Sequence, residues 1–216
     1  MKIWVQSYPR TGSTNFALNL SNILNTKFKN EPFYKRDYNT IKFIEKPNIL
    51  IKNQISHMPK QMWDKIYKDE IFVEKFNPES EEWFSLGVSE FIKFHNIVKQ
   101  NGWKMIYLAR KDKLATTLSY TTARKNKNWL GFYNRYEQYN HKDYKLIEHW
   151  YDLQHIYAKR NNEKVHYYEE IFSNDIEDRI SAISNMDLNL TDYQIKSLAK
   201  KLTKNYRYYQ PKSNII

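Results

Sequence analysis

The sequence predicts an α/β fold: a single domain over residues 1–216, with a central parallel sheet flanked by helices. Short apolar runs typical of strands alternate with longer runs in which apolar residues recur every three or four positions, the spacing of a helix that faces a core. Alternation of this kind builds βαβ units, in which the strands lie parallel. The length suffices for one sizeable core, and no low-complexity linker or internal repeat divides the chain.

The predicted elements alternate along the chain. The predicted strands cover residues 2–6, 48–54, 71–76, 104–108 and 164–168. The predicted helices cover residues 14–25, 60–67, 79–100, 111–126, 143–161, 175–185 and 192–203. Asp175 and Thr191 stand where helix N-caps are expected. Ligands of parallel sheets bind at the carboxyl ends of the strands, which puts Arg10, residues 54–57 and Arg110 at one edge.

The composition limits the chemistry. The chain is strongly basic, with a formal net charge of +11, which suits an anionic ligand such as a nucleotide, an acidic glycan or a nucleic acid. It has no cysteine, which excludes disulfides, cysteine-ligated zinc and thiol catalysis. Its histidines lack the i, i+4 spacing of a zinc-binding helix, so we expect no metal. Met1 and Lys2 lead directly into a strand, and no run approaches the ~20 apolar residues of a membrane span, so we expect no signal peptide and a cytoplasmic location.

The segment 7–15, which reads SYPRTGSTN, predicts a binding site for a phosphate. It connects the first predicted strand to the first predicted helix, where backbone N–H groups are free and the helix dipole favours negative charge. Gly12 allows a close approach of the backbone, and Ser13 and Thr14 supply hydroxyl donors. Arg10 adds a permanent positive charge with a planar set of donors.

Two other interpretations of this segment exist. The simpler one is an ordinary helix start, with Thr11 or Ser13 as the N-cap. A Walker A loop is excluded, because that motif requires G-x-x-x-x-G-K-[ST] and the few glycines of this chain do not provide it.

A second candidate contact for an anion follows the strand predicted at 104–108. Arg110 lies where that strand ends, and the next predicted helix carries Ser119 about two turns along its axis. Arg110 can hold a second phosphate by a charge-assisted hydrogen bond, and Ser119 can complete the contact from the helix. The alternative is a surface cation beside a helix N-terminus.

Together these segments resemble the sulfotransferase family. Residues 8–15 are similar to its 5′-phosphosulfate loop, usually written Y-P-K-S-G-T-T-W, and Arg110 with Ser119 is similar to its 3′-phosphate motif. Residues 165–171, VHYYEEI, are similar to a late strand of the family that ends in Y-E-D-L. Residues 112–115 and 123–129 look closest to the bacterial trehalose-type members. The matches stand in family order, and the resemblance implies a P-loop-NTPase-like sulfotransferase fold.

The resemblance also implies a donor, 3′-phosphoadenosine-5′-phosphosulfate (PAPS), with adenosine 3′,5′-bisphosphate (PAP) as the product. The acceptor is then a hydroxyl of a carbohydrate or small molecule, and we expect no nucleic acid or membrane as a partner. The 5′-phosphosulfate is assigned to the loop residues Arg10, Thr11, Gly12, Ser13, Thr14 and Asn15.

The second phosphate is where this chain departs from the family pattern. Arg110 precedes Ser119 by nine residues where eight is usual, so Lys111 is an alternative ligand of the 3′-phosphate. The family's glycine-rich C-terminal loop is missing from the sequence, and Arg207 is the candidate to replace it. A solvated basic tail is the alternative there. Arg10 itself stands where cytosolic members carry a lysine.

The implied transfer needs charge stabilisation and a base. Arg10 stabilises the charge that builds on the leaving phosphate, and Lys52 is a candidate for the sulfuryl oxygens, although a strand lysine more often points to solvent. The base is either Glu31, where several bacterial and Golgi-type members carry a glutamate, or His57, whose S-H-M-P segment resembles the H-L-P of cytosolic members. The residues leave this choice open.

Two other classes of function compete with this one. A nucleotide or small-molecule kinase also binds phosphate on an α/β fold, but the G-K-[ST] of the kinase loop is missing from the sequence. A non-enzymatic nucleic-acid binder would use the positive charge and the aromatic residues near position 136, although no recognised nucleic-acid motif occurs.

Overall fold

The computed structural model describes residues 1–31, 48–54, 95–96, 98–127 and 137–203. The strands are β1 (Lys2–Ser7), β2 (Lys27–Asn30), β3 (Ile49–Gln54), β4 (Lys104–Ala109) and β5 (Val165–Tyr167). The helices are α1 (Ser13–Ile23), α2 (Lys113–Lys125), α3 (His141–Arg160), α4 (Tyr168–Ile171), α5 (Ile176–Ser184) and α6 (Asp192–Lys201). Residues 95–96 and 98–100 are also helical.

The five strands form one sheet in the order β2-β3-β1-β4-β5, and every neighbouring pair is parallel. β1 lies at the centre, where Val5 is level with Lys52 of β3 and with Ile106 of β4. This confirms the prediction of a single α/β unit with a parallel central sheet.

Both faces of the sheet are covered, which explains why β1 is buried along almost its whole length. On one face Ile3 and Val5 pack with α1, α5 and α6. On the other face Trp4 packs with α3 through residues such as Tyr157. α2 packs beside α3, and the Tyr120 ring meets the Trp150 ring edge to face with centroids 5.5 Å apart.

The chain order therefore changes direction at the centre of the sheet. From β1 the chain passes through α1 to the β2 edge, whereas from β4 it passes through α2 to the β5 edge. Crevices at such switch points, beyond the carboxyl ends of the strands, are where open α/β sheets bind ligands. The segments after β1 and β4 are those in which the sequence predicts anion contacts.

The helix caps match the sequence predictions. Asp175 accepts a hydrogen bond from the Glu177 N–H at 2.8 Å. Thr191 accepts one from the Gln194 N–H at 3.3 Å, and the Gln194 side chain bonds back to the Thr191 N–H, which completes a capping box. No helix in the described ranges is long and apolar enough to span a membrane.

Two assignments differ from the sequence prediction. Strand β2 was not predicted, because its sequence KFKN offers one apolar residue and its place at the sheet edge comes from backbone pairing with β3. Tyr168 was predicted to end the last strand but begins α4, where the carboxylates of Glu169 and Glu170 suit a helix N-terminus. The elements predicted at 60–67 and 71–76 lie outside the described residues. The helix predicted at 79–100 is described only at 95–96 and 98–100, where it is helical.

Candidate anion-binding site

The loop between β1 and α1 has an unusual backbone. Arg10 has φ of 69° and Gly12 has φ of 72°, so both adopt the left-handed conformation. For arginine this conformation costs on the order of 1 kcal/mol and persists only where neighbouring contacts hold it. Glycine has no such cost, which explains its use at position 12.

Gly12 is also required for packing. A Cβ atom at this position would lie 2.8 Å from Tyr168 Cδ2 and 2.8 Å from Phe172 Cε2. The start of α4 therefore packs directly against the loop, and any larger residue at position 12 would displace one of the two rings.

Gly12 is the N-cap of α1, and no side chain caps this helix. The interpretation with Thr11 or Ser13 as N-cap is therefore wrong. Thr11 is buried and its hydroxyl donates to the Tyr8 carbonyl at 3.0 Å, so it closes the loop from within. An α-helix has no internal partners for its first N–H groups, and in α1 these groups remain available to an anion.

The serines of the loop form a buried pair. The Ser7 hydroxyl lies 2.9 Å from Ser13 Oγ and 3.3 Å from the Asn53 carbonyl, so it connects β1, α1 and β3.

Farther along α1 the exposed Asn15 accepts a 2.5 Å hydrogen bond from Asn19, which turns its side-chain oxygen along the helix surface. Thr14, between Ser13 and Asn15, is half-buried.

Two hydrogen bonds attach the loop to the end of β4. The Tyr8 hydroxyl donates to the Arg110 carbonyl at 3.1 Å and accepts from the Arg110 N–H at 2.9 Å. Burial raises the pKa of Tyr8 far above its ordinary value, so the phenol keeps the proton that it donates. Tyr8 thus fixes the separation between the two predicted anion contacts.

A third bond joins the loop to α2. Arg10 Nε donates to Ser119 Oγ at 2.7 Å, and Ser119 is fully buried. The sequence predicted Ser119 as a partner of Arg110 on a second phosphate, whereas the structure connects the Ser119 hydroxyl to the first loop.

Arg110 and Lys111 occupy different environments. Arg110 is 4% exposed, and its guanidinium lies 4.8 Å from the centre of the Tyr168 ring. Lys111 is exposed, and its Nζ lies 2.8 Å from Glu170 Oε1. Since only Arg110 is held beside the loop by Tyr8 and Tyr168, it is the better placed of the two candidates for a second phosphate.

Lys52 and Glu31 form an ion pair at the carboxyl edge of the sheet. Lys52 is almost completely buried, so the expectation that a strand lysine points to solvent is wrong here, because both faces of β3 are covered. The backbone supports the pair, since the Glu31 N–H donates to the Lys52 carbonyl at 2.7 Å. Burial lowers the pKa of Lys52, whereas the nearby Glu31 carboxylate raises it and so partly offsets the effect of burial.

Tyr168 and Glu169 also belong to this site, although no site role was predicted for them from the sequence. Tyr168 packs against Gly12 and Arg110, and Glu169 lies 3.8 Å from Arg110 Nε. The signal in the sequence was the Y-E-E at the end of the last predicted strand, but only the fold brings it to this edge.

Two candidates, His57 and Arg207, lie outside the described residues. Within the described ranges there is no group of three or more histidines and carboxylates that could hold a metal ion. In comparisons with known proteins, no protein-family model matches the chain, and no curated protein matches it.

Proposed function

We propose that this chain is a sulfotransferase that moves a sulfuryl group from PAPS to a hydroxyl of a carbohydrate or a small molecule. The observation that carries the proposal is the Arg10 to Ser119 hydrogen bond of 2.7 Å, which ties the loop after β1 to the helix after β4. Two cationic segments at one switch point suit a ligand with two separate anionic groups.

The polar groups of this edge support a donor with two separated phosphates. The uncapped N-terminus of α1 and the Arg10 guanidinium would hold the 5′-phosphosulfate. Arg110, buried beside the same loop, would hold the 3′-phosphate. A ligand with a single phosphate cluster would use either the loop or Arg110 and not both.

The transfer needs no covalent intermediate. The S–O bond to the 5′-phosphate breaks with its electron pair on the phosphate oxygen, while a new S–O bond forms to the acceptor oxygen, whose proton passes to a base. Glu31 is the candidate base within the described residues, and Lys52 beside it would offset negative charge on the sulfuryl oxygens. Arg10 would stabilise the leaving phosphate.

Ligand-dependent thermal stability tests this proposal. A ligand that binds only the folded state at 100 times its Kd adds about 2.7 kcal/mol of stability, so PAP should raise Tm clearly. Arg10→Gln should remove the shift, whereas Arg160→Gln at the exposed end of α3 makes the same charge change away from the site and should keep it. Stabilisation by ATP with Mg²⁺ and none by PAP would contradict the proposal and favour a kinase.

Transfer itself is measured with PAPS labelled in the sulfuryl group and panels of glycans and hydroxylated metabolites. We expect label in an acceptor and release of PAP in equal amounts. Affinity for RNA or DNA that falls steeply with salt, without PAP binding, would instead support a nucleic-acid binder.

A further inference from the structure

Glu169 makes an unusual set of contacts at the start of α2. Its Oε2 accepts a hydrogen bond from the Lys111 N–H at 3.0 Å, and its Oε1 accepts one from the Asp112 N–H at 3.1 Å. Oε1 also lies 3.8 Å from Arg110 Nε. One carboxylate thus holds three consecutive residues of the turn between β4 and α2.

These contacts allow two opposite roles. The carboxylate could occupy the place of a ligand phosphate and compete with it, or it could hold Arg110 in position while the phosphate binds from another side. Both oxygens are engaged by backbone N–H groups, and such charge-assisted bonds are the strong ones, so displacing the carboxylate is costly.

The surroundings of Arg110 favour the second role. Glu169 approaches the guanidinium at Nε, and Tyr168 supports its face at 4.8 Å. Tyr168 in turn packs against Gly12 of the loop between β1 and α1. An arginine fixed in this way loses little freedom when it binds an anion, which increases its contribution to affinity.

We infer that Glu169 is a positioning residue, which orients Arg110 toward the 3′-phosphate of the donor. The inference rests on the proposed function. It assigns a role to a carboxylate that would by charge alone weaken the binding of an anion.

The neighbouring Glu170 provides a matched control. Its carboxylate binds the exposed Lys111 Nζ at 2.8 Å, at the surface. Glu169→Gln and Glu170→Gln remove the same charge one residue apart, so a general electrostatic effect is the same in both variants. Only Glu169→Gln alters the support of Arg110.

The experiment compares the affinities of PAP and of 5′-AMP, which lacks the 3′-phosphate, by calorimetry. The wild-type protein should bind PAP more tightly than 5′-AMP. Glu169→Gln should lower PAP affinity at least ten-fold and leave 5′-AMP affinity unchanged, whereas Glu170→Gln should keep the wild-type ratio. Adding Arg110→Ala to Glu169→Gln should cause little further loss, since both changes act on one contact.

The outcomes separate the two proposals. An unchanged ratio of PAP to 5′-AMP affinity in Glu169→Gln, or a tighter binding of PAP, overturns the positioning role alone. A wild-type protein that does not prefer PAP overturns the 3′-phosphate assignment and the proposed function with it. If Glu169→Gln does not fold, Glu169→Asp keeps the charge but shortens the reach, and the same ratio should fall in that variant.

Discussion

The Arg10 side chain donates from Nε to Ser119 Oγ over 2.7 Å, across 109 positions of sequence. Arg10 belongs to the loop after β1, and Ser119 belongs to the helix after β4. The bond joins the two segments in which the sequence predicts contacts with an anion, and it restrains an arginine whose backbone has φ of 69°.

Removing the Ser119 hydroxyl should weaken donor binding. Without this acceptor the Arg10 side chain has more freedom to lose on binding, so we expect Ser119→Ala to cost about 1 kcal/mol, or roughly a five-fold rise in the Kd for PAP. Thr117→Val is the control, because the Thr117 hydroxyl donates to the Lys113 carbonyl of its own helix. Equal PAP affinity in wild type and Ser119→Ala, measured by calorimetry, would show that the bond does not prepare the site.

Alanine substitutions at Gly12 and Gly102 distinguish the cost of backbone strain from the cost of a steric clash. Both have positive φ, at 72° and 76°, but a Cβ at Gly102 meets no atom within 4 Å. Gly102→Ala should therefore cost only the left-handed backbone, about 1 kcal/mol of unfolding free energy. Gly12→Ala adds overpacking against two rings and should cost about 2–4 kcal/mol. Urea unfolding measures both, and similar costs would mean that the loop and α4 separate easily.

The choice of base is settled by turnover. Glu31→Gln and His57→Asn should be compared, and removal of the base should lower kcat by roughly 10²–10⁴ while PAP affinity stays nearly the same, because the base acts on the acceptor. Glu163→Gln is the control, since Glu163 pairs with Lys99 at 3.0 Å in another glutamate–lysine ion pair. Full turnover in both variants would exclude both residues, and a loss of PAP affinity would assign the altered residue to the donor site.

Acid should destabilise the fold through two histidines, the buried His95 and the half-buried His166. Burial lowers the pKa of His95 to about 3 and that of His166 to about 4. Between these values and the ordinary ~6.5 the unfolded chain binds more protons than the folded chain, so stability falls as the pH falls below 6.5. Each histidine should account for about 2 kcal/mol between pH 7.5 and pH 5.

His166→Asn isolates part of this effect. If the replacement is accommodated, urea unfolding at pH 7.5 and pH 5.0 should show a drop in stability smaller by about 2 kcal/mol than in the wild type. An identical drop in both proteins would mean that His166 titrates normally in the folded state.

Much of the fold was predictable because its signal is local. The apolar run of β1 and the helical spacing of α1 each record burial along a few consecutive residues. The caps at Asp175 and Thr191 are equally local, since each side chain bonds within three residues. Strand β2 was missed because edge pairing with β3 requires little from its own side chains.

The sequence by itself predicted where an anion would be held: a glycine turn after β1 and an arginine after β4, both at strand ends that a parallel sheet brings to one edge. Only the tertiary structure decided which groups meet there. Ser119 meets Arg10, Lys52 is buried against Glu31, and Glu169 reaches the turn after β4. These contacts join residues 21 to 109 positions apart, and such distances are set by packing of the sheet and its helices and not by any local pattern.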